Sequence, residues 1–260
     1  MTTPNLVYFH GQPGSPAELT LAARRPDPMT LFAPDRGSDR TDLAFDAYID
    51  HLTDEIMRRF PSGPLRLAGF SMGAFVAMEV SIRLTGRALG RDLTLDLISP
   101  PAPLETGNYL PRMAGGVVFN LARTAPWAFG FMTTLQGRLA AAAPQVLYGQ
   151  LFSKAAGADR DLAATAGFEE MIMDLLESSL RDGARGYRRE ILAFVRSGEG
   201  RLAKVTAPVT LWQGMADTWT PPDMADALAA RLPNLRADRR FPGLSHYSTL
   251  KAALAEIVPA

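Results

Sequence analysis

Short apolar runs ending in Gly- or Pro-rich loops alternate with amphipathic helical stretches at both ends of this chain, and that alternation restricts the fold most. Leu6–Phe9 runs into His10-Gly11-Gln12-Pro13-Gly14, and Thr30–Ala33 runs into Pro34-Asp35-Arg36-Gly37. Phe45, Tyr48, Ile49, Leu52, Ile56 and Phe60 then recur at three- and four-residue spacing, which predicts a helix with Asp42 as its N-cap and Pro61-Ser62-Gly63-Pro64 as its stop. A strand over Leu65–Phe70, a helix over Ala74–Leu84 and a strand over Leu93–Ile98 follow, closed by Pro100-Pro101. The alternation returns at Val209–Trp212, with a helix over Pro222–Leu232, a strand over Leu235–Phe241 and a last helix near Thr249–Val258. Strand, helix, strand in succession calls for a parallel sheet with crossover helices. Between the two halves, residues 102–204 read as helices only. The expected organisation is therefore an α/β core of 1–101 and 205–260 with a helical cap of 102–204 over the sheet edge.

Composition removes several function classes. Lys plus Arg and Asp plus Glu number 27 each, so no basic surplus exists to neutralise a phosphate backbone, and no nucleic-acid partner is expected. Cysteine is absent, which rules out disulfides, thiolate metal sites and a cysteine nucleophile. With three histidines, His10, His51 and His246, no metal site is expected. The N-terminal apolar run is too short for an export signal, and Gly115–Leu135 is interrupted by Asn120, Arg123 and Pro126. No stable membrane insertion is expected, and the reading is a cytoplasmic protein acting on a small molecule, with the oligomeric state left open.

Gly69-Phe70-Ser71-Met72-Gly73 falls where a strand turns into a helix. A serine on such a turn needs small neighbours, because the backbone is strained and flanking elements pass close by. The turn also sets Ser71 at a helix N-terminus, whose free N–H groups favour an oxyanion. A serine hydroxyl needs a base. His51 lies among Asp50, Asp54, Glu55 and Arg58 on a polar stripe, and His10 precedes a glycine at a strand end, where it is expected to hold the loop. His246 follows the last strand and is the expected base. Asp217, on the loop after Val209–Trp212, is the expected carboxylate to orient it, with Asp96 as the alternative in mid-strand. The oxyanion donors are expected to be the backbone N–H groups of Met72 and Gln12, since Pro13 has none to give.

Taken together, His10-Gly11-Gln12-Pro13-Gly14, Asp35-Arg36-Gly37, Gly69-Phe70-Ser71-Met72-Gly73, Gly214-Met215-Ala216-Asp217 and Ser245-His246 resemble the α/β-hydrolase superfamily. The resemblance covers 5–100 and 205–260; the middle is similar to a helical cap, and Ser179–Gly186 to a stretch found in caps of such proteins. It implies the α/β-hydrolase fold, the chain order Ser71, Asp217, His246, and hydrolysis without a cofactor. Only nine residues precede His10, so about six strands are expected, without the family's N-terminal hairpin. Ser245 stands where a glycine is common.

A serine rather than an aspartate at the elbow argues, by that resemblance, against dehalogenase and epoxide-hydrolase chemistry. The expected reaction is hydrolysis of a small to medium apolar carboxylic ester or lactone. Amide or C–C hydrolysis, a lyase or transferase, and a ligand-binding protein are the alternatives. Phe70, Trp219 and Tyr247, beside the catalytic residues, and Phe119, Trp127, Phe129, Phe131 and Met132 in the cap are expected to line the pocket. No Arg or Lys stands out as a grip for a charged substrate.

Overall fold

The computed structural model describes residues 4–24, 26–87 and 90–258. Among them, six strands form one sheet in the order β2-β1-β3-β4-β5-β6, all neighbours parallel. The strands are β1 (Asn5–Phe9), β2 (Leu31–Phe32), β3 (Leu65–Phe70), β4 (Leu93–Ile98), β5 (Val209–Gly214) and β6 (Leu235–Phe241). Helices α1 (Phe45–Arg59) and α2 (Met72–Arg87) precede β3 and β4. Six more separate β4 from β5: α3 (Gly116–Thr124), α4 (Pro126–Ala142), α5 (Pro144–Phe152), α6 (Asp159–Ala163), α7 (Ala166–Leu180) and α8 (Arg185–Phe194). Helices α9 (Pro222–Ala229) and α10 (His246–Ile257) complete the chain.

Both faces of the sheet are covered, which is why β1 is apolar at consecutive positions. Leu6 and Tyr8 join Phe70, Ile98 and Trp212 in one core, shared with α10 and the inserted helices. Val7 and Phe9 join Leu67, Leu97 and Leu211 in a second core under α1, α2 and α9. The period-two alternation of side chains sorts them. The edge strand β6 alternates instead, with Arg236 and Asp238 exposed, charges that discourage pairing with another chain.

Several element ends differ from the sequence reading by a few residues, and two helix starts do so for a visible reason. Asp42 does not cap α1: the cap position is Ala44, without a side-chain bond, and the Asp42 carboxylate is held by Arg40 at 3.2 Å. The pair draws Asp42 into the preceding turn, so the helix starts further along. Helix α10 starts at His246 rather than near Thr249, because Ser245 and Ser248 close a reciprocal capping box there. No helix in the described residues is long and apolar enough to cross a membrane.

Candidate active site

Ser71 follows β3 directly, with φ at 53°, and α2 begins at the next residue. A side chain has to adopt this left-handed backbone only where its surroundings enforce it. The enforcement is visible at the two glycines. A Cβ on Gly69 would lie 2.4 Å from the Gly73 carbonyl oxygen, and one on Gly73 would lie 2.0 Å from that of Phe9. Strand and helix therefore approach each other, and β1, more closely than any larger residue permits.

The loops after β5 and β6 bring Asp217 and His246 together. His246 Nδ1 lies 2.8 Å from Asp217 Oδ2, with both side chains buried. The other carboxylate oxygen accepts the N–H groups of Trp219 and Thr220 at 2.8 and 3.0 Å, while the Thr220 hydroxyl donates to Oδ2 at 3.0 Å. A carboxylate held by four partners has one orientation, so it fixes the imidazole with Nε2 facing away from it. The rings of Phe70 and Trp219 pack against His246 at 4.6 and 6.0 Å between centroids. Ser71 and His246 line the same small cleft, together with Gly11, Gln12, Phe70 and Tyr247. Among the described residues no hydrogen bond joins the Ser71 hydroxyl to His246, and neither the Gln12 nor the Met72 N–H donates to a protein acceptor.

His10 is fully buried in a different role. Its Nε2 accepts the Arg36 N–H at 3.0 Å, so Nδ1 carries the proton toward the Gly11 carbonyl at 2.7 Å. Burial, reinforced by the Arg36 guanidinium, holds its pKa well below the ordinary value. His51 is partly exposed beside Asp39, and Asp96 binds Arg66 and the Trp212 indole at 2.7 and 2.8 Å, within the sheet.

A larger cleft of about 660 Å³ adjoins the small one. Ser71, Met72, Gln12 and Trp219 line it from the ends of the strands, and Phe119, Leu147, Leu151 and Tyr187 from the inserted helices. This is the carboxyl edge of a parallel sheet, the usual place for a ligand. The expected lid residues divide. Phe119 lines the cleft; Phe129 is buried in the core against Tyr187, and Met132 packs beside that core. Trp127 and Phe131 face outward at 81% and 72% exposure. The helical period decides this: Phe129, Thr133, Gln136 and Ala140 form the inner face of α4, and Trp127, Phe131 and Leu135 the outer one. Arg112 and Lys154 also border the cleft, although Arg112 is bound to Asp223.

Several polar residues that hold the site carried no role in the sequence reading. Glu18 is fully buried, accepts the Gly11 N–H at 3.0 Å and the Tyr8 hydroxyl at 2.7 Å, and burial pushes its pKa up to about 7. Arg36 and Glu190 form an ion pair at 2.9 Å with both side chains fully buried. Arg36 also donates to the His10 carbonyl at 2.7 Å, and Glu190 accepts from the Gln12 side chain at 3.1 Å. Ser179 bonds both the N–H and the carbonyl of Gly14, at 2.8 and 2.9 Å. Asp159 on α6 accepts the N–H groups of Tyr247 and Ser248, at 3.0 and 2.8 Å, at the start of α10. A signal existed for one contact: a Cβ on Gly186 would lie 2.2 Å from the Arg36 carbonyl, which ties two motifs noted separately, Asp35-Arg36-Gly37 and Ser179–Gly186.

A parallel sheet with a serine on its strand-to-helix elbow, and an Asp–His pair on the last two strand loops, is the arrangement of the α/β-hydrolase fold. The chain has that fold. A thioesterase-domain family model matches residues 4–110, less than half of its length. Among solved structures, a thermophilic esterase from Thermogutta terrifontis is similar with a TM-score of 0.66 at 16% identity, covering 99% of this chain and 92% of its own. A bromoperoxidase from Bacillus anthracis gives 0.63 at 15% identity, with coverages of 98% and 90%. A meta-cleavage product hydrolase gives 0.63 at 15%, with coverages of 98% and 91%. No curated protein sequence matches the chain.

Proposed function

We propose that the chain is a serine hydrolase of apolar carboxylic esters or lactones, working through an acyl-enzyme on Ser71. The observation that carries the reading is the buried Asp217–His246 pair facing the cleft into which the strained Ser71 elbow also opens. In the proposed sequence Ser71 Oγ attacks the substrate carbonyl and passes its proton to His246 Nε2. Asp217 stabilises the resulting imidazolium through Nδ1–H. The N–H groups of Gln12 and Met72, which donate to no other acceptor among the described residues, receive the oxyanion. His246 then protonates the leaving group, and a water molecule deprotonated by the same nitrogen releases the acid. The first step needs Ser71 Oγ within hydrogen-bond reach of Nε2, a contact that commonly tightens only once substrate is bound.

On this reading the helices of 102–204 form a cap on the core of 1–101 and 205–260, and the mainly apolar lining of the small cleft, with Phe152, Ile172 and Leu175, selects an apolar acyl group. The meta-cleavage hydrolase likeness keeps C–C cleavage as an alternative on the same residues. The thioesterase-domain match, which spans the elbow, favours thioesters as a second donor class, since only the leaving atom changes. The test is turnover of p-nitrophenyl esters of graded chain length, a medium-chain lactone and an acyl thioester by wild type and Ser71→Ala. Ester turnover that falls at least about a thousandfold in Ser71→Ala supports the proposal. Equal turnover by the two proteins, or none by the folded wild type on any acyl donor, overturns it.

A further inference from the structure

We propose that the outer face of α3, α4 and α5 docks on an anionic lipid surface. The large exposed apolar side chains concentrate there: Trp127, Val117, Phe131, Leu135 and Val146, at 81, 78, 72, 58 and 50% exposure. Trp127, Phe131 and Leu135 stand four residues apart on α4 and so form one stripe along the helix. A stripe of this size on a protein surface marks a contact with something apolar.

Charge identifies the occupant. From Thr106 to Ala158 the chain has no Asp or Glu, while Arg112, Arg123, Arg138 and Lys154 supply four cations; the compensating acids lie elsewhere in a chain that is neutral overall. Arg112 is bound to Asp223, but Arg123, Arg138 and Lys154 are exposed and in no ion pair among the described residues. A stripe whose own helices, α3 to α5, carry cations and no acids fits the boundary between anionic headgroups and acyl chains. A second copy of the same face fits less well, because the segment that bears the stripe supplies no carboxylate to pair with Arg123 and Arg138. The contact is peripheral, since no described helix is able to cross a bilayer. Phe119 of α3, Gln136 of α4 and Leu151 of α5 line the large cleft, so the same three helices present one face outward and border the cleft with another. Docking sets that cleft beside a lipid reservoir.

The test is flotation with phosphatidylcholine vesicles, with and without a one-third share of phosphatidylglycerol, read also by quenching of Trp127 by brominated acyl chains. Of the three tryptophans, Trp212 is buried and Trp219 lies in the cleft, so surface quenching reports on Trp127. Wild type and Ser71→Ala are expected to bind anionic vesicles equally, about tenfold or more tighter than neutral ones. This arm does not depend on hydrolysis, so it stands or fails apart from the proposed function. Trp127→Ser with Phe131→Ser is expected to lower binding about tenfold or more, and Arg123→Glu with Arg138→Glu to remove the anionic preference. Absence of flotation overturns the proposal, as does equal binding to both vesicle types or by the variants. Dimerisation in sedimentation velocity that the apolar double variant abolishes also overturns it, and assigns the face to a second copy.

Discussion

The carboxyl edge of the sheet and the inserted helices hold their polar groups in opposite ways. At the edge the ties are short in sequence: Asp217 binds Trp219 and Thr220, two and three residues on, Ser245 and Ser248 cap each other, and the longest of these, Asp217 to His246, spans 29 residues. From the inserted helices the ties are distant. Glu190 reaches Arg36 across 154 residues, Ser179 reaches Gly14 across 165, and Asp159 reaches Ser248 across 89. Each distant tie ends on a segment that carries part of the proposed site: the His10–Gly14 loop, the loop after β2 that supports it, or the start of α10. The edge shapes its own side chains, and the inserted helices fix where the loops sit.

The most severe way to break this division is at Glu190. Replacing it with Ala leaves the Arg36 guanidinium fully buried without its carboxylate, which costs about 3–5 kcal/mol. If the two regions were independent, unfolding in urea would separate into two transitions. One cooperative transition at a lower midpoint is expected instead, along with weaker ester turnover, because Gln12 loses its anchor as well. Replacing both partners together, Arg36→Met with Glu190→Leu, is expected to restore most of the stability and little of the turnover. A single Ala variant as stable as wild type contradicts the coupling.

Legibility in the sequence followed the same line as the ties. The elbow could be read because its strained turn dictates glycines two residues either side of Ser71, and the strands because a sheet covered on both faces needs apolar runs. Trp127 and Phe131 were misplaced because composition gives the apolar content of α4 but not its rotation about its axis, which depends on neighbours met only in the folded chain. Glu18, Glu190 and Asp159 gave no signal: an acid on a helix reads as solvated surface until its distant partner is known.

Glu18 sharpens the comparison through pH. It lies on the core side, on the short turn Pro16–Leu21, yet supports the same loop through the Gly11 N–H. Burial raises its pKa from 4.5 to about 7, so between those values the folded protein binds a proton that the unfolded chain has released. Its contribution to stability is therefore complete below about pH 4.5 and is lost as pH rises through about 7, on the order of 3 kcal/mol across the window. Urea midpoints from pH 5 to 8 are expected to fall less steeply in Glu18→Gln than in wild type. Identical slopes would assign the pH dependence to other groups.

Asp159 provides the gentlest test, because Asn keeps the shape and one acceptor oxygen, while removing the charge and setting an amide N–H where the second oxygen accepted. The carboxylate sits at the N-terminus of α10, where it meets two backbone N–H groups and the positive end of the helix dipole, and the proposed base is the first residue of that helix. Asp159→Asn is expected to lower stability by about 1–3 kcal/mol, because one buried N–H loses its acceptor. If α6 positions the base, kcat for the ester drops severalfold while KM stays nearly constant, since a tilt of His246 affects proton transfer and not the apolar lining. Loss of stability with kcat unchanged would make Asp159 a helix cap alone, and would confine the distant control of the site to the Gln12 side.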